Sequence, residues 1–555
     1  MLRPATALSA GIVGAPADDF ASRRYLVVED YDPMCGVLRE LLRRCGARKV
    51  SVAANGTQAM QALSMAKFDV VLCDHNLGLG RNGQQVLEES RHRRFIGPAT
   101  VFVIVTGEKT PDMVMGIVEH EPDDYLIKPF TEAVLHQRLT RLLKRKRDLG
   151  SIQKALREGA FGQAIEACDR LMAHDPSSVA QLRRLKADTQ LRLGRLSDAR
   201  ATYEGQMADR EVAWARTGLA KAAFQEGRLD EAAYLLRQTV EINGAYLEAY
   251  EWLSRVLDRQ GNVGEARAVL QRSLEVSSRS AYRQLRLGEL SLRSGDLDTA
   301  TEAFQRSIAL DTHSALRTPA AHLGLARTLS EAGQIDEALK VLATIRRDFE
   351  GTEARLLALA VEVEVHSRKG DAELASALVD DLARQVASND HLLGPLGTLH
   401  LGEVLLAGGQ RQLGTDMLGF VARNHHEDSD ILARVQEAFS EAGLAEEGRR
   451  VLESSCRDAV ESMDRSARLA AEGHLDEALE AMQAARAKLP NNPRMLYNHA
   501  SLLVRLLEQR GWHHGHYSEA LRCITHASRF AADTRRAGEL MGRLEELQRR
   551  KAQRA

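Results

Sequence analysis

No run of 18 or more apolar residues occurs in the 555 residues, so no segment reads as a membrane-spanning helix. An excess of one charge is missing too: 75 lysines and arginines face 77 acids, a formal net charge of −2. No global field therefore directs the chain to nucleic acid or a membrane surface. Cysteine is scarce. Cys35, Cys45, Cys73, Cys168, Cys456 and Cys523 are scattered without a C-x-x-C pair. That argues for a reducing compartment and against both a disulfide framework and a zinc site. Past residue 150 there is no nucleophile–base set, no Gly-rich phosphate loop and no metal-ligand spacing. The chain is also too long for a single core, which implies several domains or a repeat array.

What is present begins with four short apolar runs, each ending in a polar group. Tyr25-Leu-Val-Val ends in Glu29-Asp30, and Phe68-Asp-Val-Val-Leu-Cys ends in Asp74. Val101-Phe-Val-Ile-Val ends in Thr106, and Tyr125-Leu-Ile ends in Lys128-Pro129. Apolar runs of this length alternating with helical stretches predict a parallel βαβ sheet buried on both faces. Ligands of such sheets lie at the carboxyl ends of the strands, where all five polar groups fall. Three clustered acids repel one another and need a divalent cation. Mg²⁺ suits oxygen ligands of this kind. A carboxylate beside it can act as a nucleophile toward a phosphoryl group, with Lys128 neutralising charge.

This constellation resembles the receiver domain of two-component response regulators, over residues 23–147. The resemblance implies a flavodoxin-like, doubly wound α/β fold with Asp74 as phosphoacceptor, phosphorylated by a sensor histidine kinase or phosphotransfer protein. It implies Glu29 and Asp30 as the acidic pair, and Mg²⁺ held by Glu29, Asp30, Asp74 and the backbone carbonyl of Asn76. Thr106 becomes the switch hydroxyl, Lys128 the catalytic lysine and Tyr125 the aromatic switch. Asn76 and Glu108 occupy the positions that tune dephosphorylation, and Gly107 leaves room for the phosphoryl group. On phosphorylation, the face formed by the helix after Thr110, the strand at 123–127 and the last helix would change. In the family that face mediates docking or homodimerisation. Cys73 is expected in the core. Residues 1–22 hold a short Gly- and Ala-rich run, Leu8–Ala17, faintly like a signal-peptide core, but a flexible tail is the better reading.

After residue 150 one signal dominates, a glycine followed five residues later by alanine. It recurs at Gly159/Ala164, Gly194/Ala199, Gly227/Ala232, Gly261/Ala266, Gly295/Ala300, Gly333/Ala338 and Gly370/Ala375. Fainter copies stand at Gly409/Gly414, Gly443/Gly448, Gly473/Ala478 and Gly515/Ala520. From 159 to 333 the glycines are 35, 33, 34, 34 and 38 residues apart, a period that means an α-solenoid of helix pairs. The glycine ends the first helix in a left-handed cap, and the alanine lets the second helix approach closely. The pattern resembles the tetratricopeptide repeat, with Tyr203 and Phe304 at the large position of the second helix and Pro176 and Pro493 closing their units. Regular repeats span 151–345. Residues 346–555 are divergent helical repeats and a C-terminal cap.

Such an array offers a groove for a protein or peptide and has no catalytic centre. Arg216, Arg255, Arg259, Arg283 and Arg286 crowd first-helix positions and hint at an acidic partner segment. His513-His514-x-His516 and His425-His426 read as exposed loop histidines. The basic run Arg138–Arg147 reads as a solvated helix end, followed after Asp148-Leu-Gly150 by the solenoid. The sequence thus predicts a cytoplasmic, non-enzymatic response regulator whose output is protein binding. Its rival is a phosphorylation-independent scaffold that uses the receiver for docking or dimerisation.

Overall fold

The computed structural model describes residues 20–107, 122–157, 160–174, 178–314, 317–387, 393–527 and 535–554. The chain divides into two compact units, a sheet unit made mainly of residues up to 154 and a helical unit made mainly of those from 155, with 277–279 and 310–317 assigned to the first.

The sheet unit holds β1 (Arg24–Val28), β2 (Lys49–Ala53), β3 (Val70–Asp74), β4 (Val101–Thr106) and β5 (Asp124–Ile127). All pairings are parallel, in the order β2-β1-β3-β4-β5 of a doubly wound sheet. Alternation along β1 builds two cores. Tyr25 and Val27 pack with Leu38 and Leu42 of α1 (Asp32–Arg44) and with Leu135, Leu139 and Leu142 of the helix Glu132–Asp148. Leu26 and Val28 face the other way, onto Ala59 and Leu63 of α2 (Gly56–Met65) and Val86 and Leu87 of α3 (Gly83–His92). Burying each such leucine is worth about 1.5–3 kcal/mol. Asn55 caps α2, accepting from the Gln58 N–H at 2.9 Å, and Asn82 forms a reciprocal capping box with Gln85 at α3.

Two expectations need correction here. The tail does not run to residue 22, because the Phe20 ring is buried against Tyr25 and stacked on His136 at 5.0 Å between ring centres. Nor is the basic helix end merely solvated. Arg138 and Arg141 pair with Asp124, and Lys146 with Asp123 at 2.6 Å. Only Leu149 separates Glu132–Asp148 from the next helix, Gly150–Arg157.

In the helical unit the turn chemistry is uniform. Gly227 sits at φ +75°, its N–H donating to the Phe224 carbonyl while the Arg228 N–H reaches back to Ala223 at 2.8 Å. This is the glycine-capped helix end that other residues resist. Gly194, Gly261, Gly295, Gly333, Gly370, Gly409, Gly443 and Gly473 share the left-handed conformation. Their partners Ala199, Ala232, Ala266, Ala300, Ala338 and Ala478 are fully buried. A second close approach lies under Phe304: a Cβ on Gly288 or Gly324 would stand 2.7 or 2.4 Å from its ring.

The divergent half departs from the expected register in three ways. Helix Ala445–Glu472 runs 28 residues without a break, fusing the second helix of one pair to the first of the next. Gly515 is no turn glycine: it lies in the first turn of helix His514–Ala527, and Gly511 takes the positive φ instead. Pro493 opens a helix, Pro493–Arg510, capped by Asn492, instead of closing a unit. The last helix, Arg535–Arg554, returns to the first repeats. Leu540, Met541 and Leu544 share a core with Ile165 and Leu193, and Glu545 accepts the Gly162 N–H at 2.7 Å and pairs with Arg195. The two ends of the array are thereby joined.

Candidate functional site

The site of the sheet unit is built by strand ends. β1 delivers Glu29 and Asp30, β3 ends on Asp74, β4 on Thr106, and β5 is followed by Lys128. The Lys128 ammonium donates to Glu29 Oε2 and to Asp74 Oδ2, both at 2.8 Å. Its backbone N–H donates to the Thr106 carbonyl at 2.7 Å, which locks the lysine to the end of β4. Glu29, Asp74 and Thr106 are buried, whereas Asp30 is exposed.

One carboxylate oxygen from each of Glu29, Asp30 and Asp74 lies within 4.8 Å of the others. That is a hard, oxygen-only donor set with one acid open to solvent, and it fits a divalent cation such as Mg²⁺. Burial, helped by the Asp74 charge, raises the Glu29 carboxyl above its ordinary value although Lys128 opposes the shift. Burial alone would lower Lys128, but its hydrogen bonds to Asp74 and Glu29 outweigh this and hold the ammonium above its usual range.

Asn76 is exposed, its N–H 3.4 Å from Asp74 Oδ1. Tyr125 is half-buried against the α2–α3 core, and Cys73 is fully buried, where loss of solvent pushes its thiol well up. Gly107 is exposed beside Thr106. Glu108, the helix expected after Thr110, Gly159 and Pro176 lie outside the described residues. One residue went unnoticed in the sequence. A Cβ on Gly83 would meet the Asp74 carbonyl at 2.2 Å, so only glycine lets α3 start against the phosphoacceptor candidate. The signal available was the Asn82-Gly83 helix start.

The arginines expected to face an acidic partner separate into two groups. Arg216 and Arg283 are buried and paired inside the array, with Glu211 at 2.8 Å and Glu251 at 3.0 Å. Arg286 bridges Asp258 and Glu289. Arg283 and Arg286 tie their helix to Leu247–Arg259, and Arg216 ties its helix to the loop before it, which corrects the reading of them as partner contacts. Arg255 and Arg259 are exposed, and Arg255 lies over the Trp252 and Phe224 rings at 5.0 and 5.6 Å. The histidine pair at 425–426 is not a free loop either: His425 is buried and His426 Nδ1 accepts from the Asn492 amide at 2.8 Å. His513 and His514 are exposed. A cavity of about 620 Å³ opens in the helical unit between Leu356, Val386, Leu413 and Phe420, with Arg423 and Asn491 at its wall.

Comparison with known proteins agrees with both units. Residues 25–140 match the response regulator receiver domain family. Residues 185–247, 223–287 and 291–363 match tetratricopeptide repeat families. The chemotaxis protein CheY of Pseudomonas aeruginosa is 28% identical over 122 residues, 22% of this chain and 97% of that protein. CheY-3 of Vibrio cholerae is 28% identical over 122 residues, 22% of this chain and 92% of its own length. A tetratricopeptide repeat protein from Parabacteroides merdae, of known structure, is 16% identical, covers 47% of this chain and 98% of its own, and gives a TM-score of 0.33. The chain therefore carries an N-terminal response regulator receiver domain followed by tetratricopeptide repeats. Among the described residues no helix is long and apolar enough to cross a membrane.

Proposed function

We propose that this protein is a response regulator of a two-component phosphorelay whose output is protein binding through the repeat array. A histidine-phosphorylated kinase or phosphotransfer protein is the donor, and Asp74 takes the phosphoryl group as an acyl phosphate. The observation that carries the reading is one ammonium, Lys128, shared at 2.8 Å between Glu29 and Asp74 where β1, β3 and β5 end on one edge of the sheet. A bound Mg²⁺ would neutralise the acids and the incoming phosphoryl oxygens. Glu29, Asp30 and Asp74 would hold it, with the Asn76 carbonyl.

The remaining chemistry belongs to the chain. Asp74 Oδ attacks phosphorus as the bond to the donor histidine breaks, and the imidazole leaves with that electron pair. Lys128 stays beside the new charge, and Thr106 donates its hydroxyl to a phosphoryl oxygen. Tyr125, half-buried one strand away, follows Thr106 inward, which is the local event that biases a two-state face. The repeats then bind a protein or peptide partner, and the whole operates in the cytoplasm, where such donors are found. Incubation with a phosphorylated donor protein tests the reading. Label should pass to the wild-type chain and not to Asp74→Asn; transfer that persists in Asp74→Asn sinks it.

A further inference from the structure

The helix pair Pro493–Arg510 and His514–Ala527 holds a side-chain cluster that the phosphorelay reading does not use. His499 comes from the first helix, and Glu519 and Cys523, four residues apart and so on one face, come from the second. His499 and Cys523 are buried, while Glu519 keeps a partly exposed edge. Cys523 Sγ stands 3.7 Å from His499 Nδ1 and 3.9 Å from Glu519 Oε1, and all three donor atoms lie within 4.8 Å of one another.

Those separations are informative. A tetrahedral ion with bonds of about 2.3 Å to sulfur and about 2.0–2.1 Å to nitrogen or oxygen needs ligand atoms roughly 3.4–3.6 Å apart. A plain thiol–imidazole contact inside a core would not require a carboxylate oxygen on the same side. We propose that His499 Nδ1, Glu519 Oε1 and Cys523 Sγ form a zinc site with its fourth position open toward the exposed edge of Glu519. Thiolate and imidazole are soft or borderline ligands that select Zn²⁺ over Mg²⁺ or Ca²⁺. Coordination takes Cys523 as thiolate, its proton leaving to solvent as the metal–sulfur bond forms.

The surroundings set how strongly the site binds. Arg522 holds Glu519 Oε2 and so orients the carboxylate, an outer-shell support. Arg486 reaches the ligating oxygen, Oε1, and competes with the metal for it. The ion would tie together two helices whose Cys523, Ile524 and Ala527 sit in the same core as Leu540 and Leu544 of the returning last helix. Scattered cysteine spacing hid this cluster, because its members meet through helix pairing and not through a local motif.

The test uses the metal-stripped full chain titrated with Zn²⁺, read by alkylation of each cysteine in peptide mass spectra. One equivalent of Zn²⁺ should slow alkylation of Cys523 at least tenfold and leave Cys456 unchanged. Co²⁺ should add a thiolate charge-transfer band that Cys523→Ala abolishes and Glu519→Gln weakens, whereas Arg486→Gln should tighten binding. Unchanged alkylation of Cys523, or a band retained in Cys523→Ala, overturns the proposal. The alkylation readout needs no variant, so a misfolded mutant cannot obscure the answer.

Discussion

Replacing Lys128 by methionine removes the cation that bridges two buried carboxylates while keeping the length of the side chain. The exposures are 16% for Lys128, 11% for Asp74 and 2% for Glu29, so water can replace little of what is lost. Breaking a buried pair costs about 3–5 kcal/mol, and residual solvent at Lys128 and Asp74 points to the lower end, about 3 kcal/mol. Hydrogen exchange on peptides spanning β1, β3 and β4 reads this locally, without mixing in the helical unit. A loss of about 3 kcal/mol raises their exchange by roughly two orders of magnitude. The pH dependence has a fixed sign. Burial already raises Glu29, so its folded form favours the proton more than the unfolded form does. Stability linked to that proton is present at low pH and is lost as pH rises through the folded value. The cost of Lys128→Met should therefore grow with pH and shrink on adding Mg²⁺, which replaces the missing charge. A cost below about 0.5 kcal/mol, the scale of an ordinary surface substitution, would refute the shared-cation argument. So would a larger cost indifferent to pH and Mg²⁺.

Three further outcomes follow from the same geometry. Mg²⁺ affinity should fall as pH drops, as protons compete at Glu29, and Glu29→Gln should weaken binding and flatten that dependence in a calorimetric titration. Gly324→Ala should cost about 1–3 kcal/mol by pressing on the Phe304 ring. Adding Phe304→Leu should recover part of that, and strictly additive losses in urea unfolding would count against the packing account. Glu545→Ala frees the Gly162 N–H and Arg195, at about 1–3 kcal/mol, and should speed hydrogen exchange in residues 161–174. No change there would mean that the joined ends rest on the apolar contacts of Leu540, Met541 and Leu544.

Strand ends were legible because β1, β3 and β4 are buried on both faces and read as unbroken apolar runs. β2 was not. Its Lys-Val-Ser-Val-Ala is an edge strand, largely exposed, and shows neither a run nor a polar terminus. The turn glycines were readable since a left-handed cap leaves glycine few substitutes, and Gly515 misled because the helix ends earlier, at Gly511, with a positive φ but an extended ψ. Arg216 and Arg283 looked like groove residues because helix position tells which face a side chain occupies, not whether a neighbouring glutamate has already drawn it in. Return of the last helix onto Gly162, and the meeting of His499 with Glu519 and Cys523, depend on long-range packing that no local pattern announces.

The central claim is that Asp74 accepts a phosphoryl group in a Mg²⁺-dependent reaction. The most direct measurement is the intact mass of the full chain after incubation with acetyl phosphate, with and without Mg²⁺, beside Asp74→Asn. The account predicts one phosphoryl group on the wild type only, and only with Mg²⁺. An unmodified wild type, or the same adduct on Asp74→Asn, would contradict it.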